Sequence, residues 1–121
     1  MLSGKCVVVG VLKKLGAEVH VIMTQAAQEF VGKLTFQTLS QNLVTDQMFA
    51  EPRKWDVEHV ELAQKADLLL IAPATANTIA KLAHGFADNM LTCVALATEA
   101  PLLLAPAMNK NMYANPATVD N

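Results

Sequence analysis

The stretch "GVLKKLGAEVHVIMT", Gly10–Thr24, decides how this chain folds. Just ahead of it stands "KCVVVG", and inside it stands "AEVHVIMT". Both are β-branched apolar runs and both read as buried strands. The first is placed at Lys5–Val11 and the second at Glu18–Thr24. Only the short piece Leu12–Gly16 lies between them. A parallel pair needs a crossover of about a dozen residues or more. A tight hairpin closes only an antiparallel pair, and "LKKLG" has no Asn-Gly or Asp-Gly to turn it. Its Leu and Lys residues are helix formers. It reads as the last turn of a helix, with Lys13 and Lys14 at the dipole's negative end and Gly16 at the cap. The expectation is therefore that Val11 and Leu12 are not covalent neighbours in the intact molecule. A loop and a helix start would belong between them.

Farther along, two more aliphatic runs read as strands, Asp67–Ala72 ("DLLLIA") and Pro101–Ala105 ("PLLLA"). Near-continuous runs of this kind mark strands buried on both faces, usually parallel ones. Helical patterns separate them. Gln25–Lys33 and Leu34–Gln41 are short. Asp56 is a candidate cap for a helix through Ala66. Asn77–His84 places Ile79, Leu82 and Ala83 on one face and stops at Gly85. Asn89–Ala100 is almost wholly apolar and reads as a buried helix. The tail from Asn109 is polar and reads as a loop or a helix start. Val44–Trp55 shows no usable period. Alternating strands and helices predict an α/β fold with a doubly wound, mostly parallel sheet and helices on both faces. Ligands of such sheets bind at the strands' carboxyl ends.

Composition narrows the classes. The 121 residues fit one domain, 53 % of them are hydrophobic and 17 % charged. So apolar a short chain points to a subunit interface and an oligomer. The net charge is −2 and no basic stripe marks a nucleic-acid face. No apolar run approaches the ~18 residues of a membrane span, and the first residues make a poor signal peptide. Cys6 and Cys93 lack metal-ligand spacing and read as packing thiols in a reducing cytosol. No metal site is expected.

The loops at the expected strand ends carry the chemistry. "PATANT", Pro73–Thr78, crowds a helix start with Thr75, Asn77 and Thr78. Such a start offers free N–H groups to an anion, though simple capping is the commoner use of these residues. "PAMNKNMY", Pro106–Tyr113, repeats the pattern after the next strand. Two adjacent strands ending alike suggest one ligand touched by both. Asn109 offers an amide there, its plainer reading being a turn residue. His59 shares a helical face with Leu62, Ala63 and Ala66, and is either a core residue or a base at a pocket. His20 and His84 receive no function. No Ser-His-Asp order, zinc spacing or G-x-G-x-x-G is present.

Taken together, these motifs resemble those of the homo-oligomeric flavin-containing cysteine decarboxylases. "PATANT" is similar to their P-A-S-A-N-T motif. "PAMNKNMY" is similar to P-x-M-N-x-x-M-W, with Tyr113 in place of Trp. "GFADNML", Gly85–Leu91, and "EHVELAQKADLLLIAPATANTIAKLAHG" also look like family sequence. The similarity runs from about Leu2 to Asn121.

The resemblance implies a Rossmann/flavodoxin-like, three-layer flavoprotein domain over 1–121. It implies FMN as cofactor and a cytoplasmic enzyme of coenzyme A synthesis. The reaction would be decarboxylation of 4'-phosphopantothenoylcysteine, a small-molecule substrate, to 4'-phosphopantetheine, in a homo-trimer or a multiple of trimers. His59 stands where the family keeps its catalytic His, and Asn109 would hydrogen-bond the substrate carboxylate. Thr24, Thr75, Ala76, Asn77, Thr78 and Ala107 would hold FMN, the last by its backbone. Met108 and Met112 would pack beside the ring. Asp88 and Asn89 carry no assigned role. Two departures stand out: the family's Gly-rich loop after its first strand is missing after Val11, and so is a later Cys-bearing flap. The alternatives are a peptidyl-cysteine decarboxylase, a flavin prenyltransferase of the same fold, or a non-catalytic flavin-binding subunit.

Overall fold

A computed structural model describes residues 4–46 and 60–121, with side chains from residue 8 onward. The chain forms two compact units, Met1–Met48 and Phe49–Asn121.

The first unit opens on a helix, α1, Gly4–Lys14. The strand expected at Lys5–Val11 is thus a helix, and Val11 and Leu12 are consecutive residues inside it. The Leu15 N–H donates to the Val11 carbonyl and the Ala17 N–H to the Leu12 carbonyl, both at 3.0 Å. The reason lies in the link itself. Lys13 and Lys14 occupy the last turn, as the dipole favours. Gly16 follows with a φ of 92°, which suits glycine after a helix end. With no crossover available, the apolar run cannot lie parallel beside residues 18–24. It lengthens the helix instead, where each added residue makes a local backbone bond. Val9 packs on the core, whereas Val8 and Val11 stay exposed.

The second expected strand, Glu18–Thr24, shrinks to an extended segment with one parallel bridge, Ile22 to Thr45. The Met23 N–H donates to the Thr45 carbonyl, and the Thr45 N–H to the Val21 carbonyl, each at 3.0 Å. Nearby, the Asn42 amide donates to the Val19 carbonyl at 2.7 Å, so a side chain takes the acceptor a longer ladder would use. Residues expected to form a helix over Gln25–Lys33 give only a 3-10 turn, Ala26–Glu29. Helix α2 spans Lys33–Ser40 and ends at Gln41, whose φ is 61°. Met23, Phe36 and Val44 form the core, joined by Val21, Val31 and Leu39. Asp46 ties the edges, accepting from Lys33 at 2.8 Å and Gln28 at 3.2 Å.

In the second unit, residues 60–65 form α3. Strand β1, Leu69–Ala74, follows, and β2, Leu102–Pro106, lies parallel beside it. Leu69, Leu70 and Ile71 face Leu102, Leu103 and Leu104 in register, and Ala74 faces Pro106. The register shifts between Ile71 and Ala74. Pro73 lies in that gap, after a cis bond from Ala72. A proline has no N–H for the ladder, and strands keep it at irregularities of this kind. The strand was expected to end at Ala72; β1 runs through Pro73 to Ala74.

The crossover from β1 to β2 consists of α4, Ala76–Ala83, and α5, Met90–Ala97. Gly85, at a φ of 71°, closes α4 as expected. Asn89 and Thr92 form a reciprocal capping box on α5: the Asn89 side chain accepts from the Thr92 N–H at 2.8 Å, and the Thr92 hydroxyl accepts from the Asn89 N–H at 3.1 Å. Met90, Thr92, Cys93 and Val94 are buried, as the apolar composition required. Two short helices end the chain, α6, Lys110–Ala114, and α7, Pro116–Asp120. Ile71, Ala74 and Ile79 form a core cluster against which Leu82, Leu91, Leu104 and Met108 pack. Among the described residues, no helix is long and apolar enough to cross a membrane.

Candidate functional site

The parallel pairing of β1 and β2 sets their two loops side by side. The ladder continues one step past the strands, because the Ala107 N–H donates to the Ala74 carbonyl at 3.1 Å. "PATANT" and "PAMN" therefore leave the same sheet edge together, at its carboxyl end. This is the juxtaposition the sequence motifs required.

Thr75 is the N-cap of α4, and its hydroxyl accepts the Thr78 N–H at 3.2 Å. It also donates to the Thr78 hydroxyl at 3.1 Å. Capping is thus a real part of this residue's work. Thr75 and Asn77 are exposed, and Ala76 and Thr78 are half-buried. No acidic residue stands in the first turn of α4, so its partial positive charge is left uncompensated there. Asn109 caps α6 by accepting the Asn111 N–H at 2.8 Å through Oδ1. That bond uses the oxygen and turns it toward the helix; the Nδ2 donors lie on the other branch of an exposed side chain. Ala107 is exposed too, and alanines at 74, 76 and 107 leave the strand ends unobstructed by bulk. Exposed hydroxyl and amide donors, small side chains and a helix start free of carboxylates fit a planar, electron-rich, anionic group such as a flavin mononucleotide.

The remaining expected site residues fall elsewhere. Thr24 belongs to the first unit, where its hydroxyl accepts the Ala27 N–H at 3.1 Å and starts the 3-10 turn. His59 lies outside the described residues. Met108 packs against the core cluster, whereas Met112 is half exposed. His20 contacts the Glu18 carboxylate at 3.0 Å, and His84 contacts the Asn121 amide at 3.1 Å.

The two residues left without a role now have one. Asn89 caps α5, and Asp88 accepts from Lys81 of α4 at 2.7 Å. The hydrogen bond from Lys81 holds the Asp88 carboxyl below its ordinary range, against the opposing effect of burial. Together they bind the α4–α5 turn. The signal was in the sequence, as Asn followed three residues later by Thr ahead of an apolar run. Cys93 is a packing thiol: it is buried, and burial together with the Asp88 charge pushes its pKa up. An apolar hollow also opens in this unit, lined by Leu82, Phe86, Leu96 and Leu102. Thr92 contributes its main polar side chain, and that hydroxyl is already engaged in the capping box. None of the expected site residues lines it, so the strand ends remain the candidate site.

The chain is similar to several known proteins. A probable phosphopantothenoylcysteine decarboxylase of Streptococcus mutans is 53 % identical over 112 residues, covering 91 % of this chain and 63 % of that protein. The coenzyme A biosynthesis bifunctional protein CoaBC of Bacillus subtilis is 48 % identical over 116 residues, covering 96 % of this chain and 29 % of that protein. The chain thus spans less than two thirds of the length of these relatives. Among solved structures, a PPC decarboxylase mutant complexed with pantothenoylaminoethenethiol superposes with a TM-score of 0.76 at 37 % identity, over 93 % of this chain and 64 % of that one. The fold is the Rossmann/flavodoxin-like α/β class of such neighbours. The pattern of the flavoprotein family matches residues 5–121. A match over nearly the whole length, with both motif loops on adjacent strand ends, establishes that this chain belongs to the flavoprotein family.

Proposed function

We propose that the chain binds FMN and decarboxylates 4'-phosphopantothenoylcysteine to 4'-phosphopantetheine. The observation that carries this reading is the joining of the two motif loops, with Ala107 bonded to Ala74, beside an α4 start that holds no carboxylate. The named relatives support the substrate, and 37 % identity to the PPC decarboxylase structure supports it over a peptide. The same reading takes residues 1–121 as one flavoprotein domain without the family's Gly-rich loop after Val11. It places the enzyme in the cytoplasm as a homo-trimer or a multiple of trimers.

When bound, FMN supplies reversible two-electron redox chemistry that makes the cysteine end able to lose carbon dioxide. The chain's residues do the rest. The N–H groups opening α4 and the side chains of Thr75, Asn77 and Thr78 hold the cofactor, with Ala76 and Ala107 approaching by their backbones. Asn109 donates through Nδ2 to the substrate carboxylate and orients it, while its Oδ1 stays on α6. His59 is assigned the base on its place in the matched motif.

Titration with FMN tests the cofactor. Quenching of flavin fluorescence at micromolar protein is expected, and its absence overturns the reading. Asn109→Asp tests the substrate role. Aspartate keeps the oxygen that caps α6, so the fold is retained. It sets a negative charge against the substrate carboxylate, so turnover is abolished. Turnover at the parent rate would remove Asn109 from the site.

A further inference from the structure

The segment that carries Asn109 has little to anchor it. From Ala105 to Ala117 every side chain is exposed except that of Met108. Met108 is half-buried and packs against the cluster of Ile71, Ala74 and Ile79. Those three residues span the joint between β1 and α4. Ala74 is fully buried and directly precedes Thr75. Ile79 lies one turn into α4, where its N–H donates to the Thr75 carbonyl at 2.9 Å. One residue before Met108, the Ala107 N–H donates to the Ala74 carbonyl at 3.1 Å. One residue after it stands Asn109, exposed, with its Oδ1 bonded inside its own segment, to the Asn111 N–H. Two consecutive residues, Ala107 by its backbone and Met108 by its side chain, thus dock this segment on the residues behind the "PATANT" loop. The backbone bond fixes one point and leaves the segment free to pivot about it. The thioether contact removes that freedom, and an unbranched, flexible side chain suits the irregular gap between a strand end and a helix.

Resting on the function proposed above, we infer that Met108 is a positioning residue, which sets the place of the Asn109 amide relative to the cofactor-holding residues Thr75–Thr78. It acts through Asn109 and touches no substrate. A group that orients a substrate serves only where it is correctly placed, and a displacement of about 1 Å can cost about a hundredfold in rate. Met108→Ala, Met108→Val and Met108→Leu are compared with the parent, each saturated with FMN. Met108→Ala is expected to lower kcat about tenfold on phosphopantothenoylcysteine. Inhibition by the product phosphopantetheine, which lacks the carboxylate, and the fluorescence titration with FMN stay at parent values. Met108→Leu conserves the volume and recovers most of the rate. Should circular dichroism show that Met108→Ala has lost its fold, Met108→Val, a smaller truncation, is read by the same measures. A kcat at the parent value in the truncated variant overturns the inference. So does an equal weakening toward product and FMN, which marks a general loosening of the unit, and so does a Met108→Leu as slow as Met108→Ala. A loss confined to FMN affinity assigns Met108 to the cofactor and overturns it as well. A parent protein that turns over no substrate fails the proposed function, and the inference with it. An active parent whose rate is indifferent to the truncation fails the inference alone.

Discussion

Replacing Thr98 by valine removes one hydroxyl at nearly constant volume and severs two elements of the second unit. That hydroxyl donates to the carbonyl of Ala63 at 2.8 Å and accepts the N–H of Ala100 at 3.1 Å. Ala63 is 3 % exposed and sits in the last turn of α3, where carbonyls run out of helical partners. Thr98 therefore caps α3 from across the unit and fixes the turn from α5 into β2. Each bond contributes about 1 kcal/mol net, and a buried group left without a partner costs about 1–3 kcal/mol. The Ala63 carbonyl has little access to water, whereas the half-buried turn at Ala100 regains some. The sum is about 2 kcal/mol. Urea unfolding followed by circular dichroism reads this directly. With a slope of about 2 kcal/mol per molar urea, the midpoint of Thr98→Val falls by about 1 M at unchanged slope. Thr98→Ser keeps the hydroxyl and recovers most of the loss. A shift below about 0.3 M for valine would show that water or another donor serves Ala63, and the bridging argument would fail.

Asn89→Ala breaks the capping box of α5 and is expected to cost about 1 kcal/mol in the same assay; no change would mean that the cap is replaced by solvent. The Asp88 carboxyl, held low by Lys81, contributes stability that is present above its unfolded pKa, near the ordinary 3.8, and is lost as pH falls through the lower folded value. NMR titration should find that low value and its return to the ordinary range in Lys81→Met; an Asp88 that titrates alike in both would refute the pairing. Cys93, in a Cys6→Ser background, should resist a thiol reagent until urea unfolds the chain. Rapid labelling of the folded protein would contradict its burial.

How far the sequence revealed the fold depends on what surrounded each run. "DLLLIA" and "PLLLA" were legible because helices flank both and the link between them is long enough for a parallel crossover. Their loops hold most of the proposed site residues, and the pairing of β1 with β2 sets those loops side by side. "CVVVGV" has the same local character and is a helix. A short apolar run does not distinguish strand from helix. What decided was its neighbour "LKKL", which nucleates a helix and leaves no chain for a crossover. The features read as a helix end, Lys13, Lys14 and Gly16, were right; the helix simply began earlier. Thr45 escaped notice because a single bridge leaves no periodic trace. The cap at Thr75 was legible as a cap, whereas Asn109, read as a turn residue, caps α6; a ligand was suggested only by the matching ends of the two strands. His59 lies outside the described residues, so its role rests on the motif alone.

We propose that the joined loops of β1 and β2 form the site of a flavin-dependent decarboxylase. The most direct test is mass analysis of phosphopantothenoylcysteine incubated with the purified protein, with and without added FMN. The account predicts a product lighter by one carbon dioxide, formed in proportion to bound FMN and absent in Asn109→Asp. Unchanged substrate in the presence of bound FMN would contradict it.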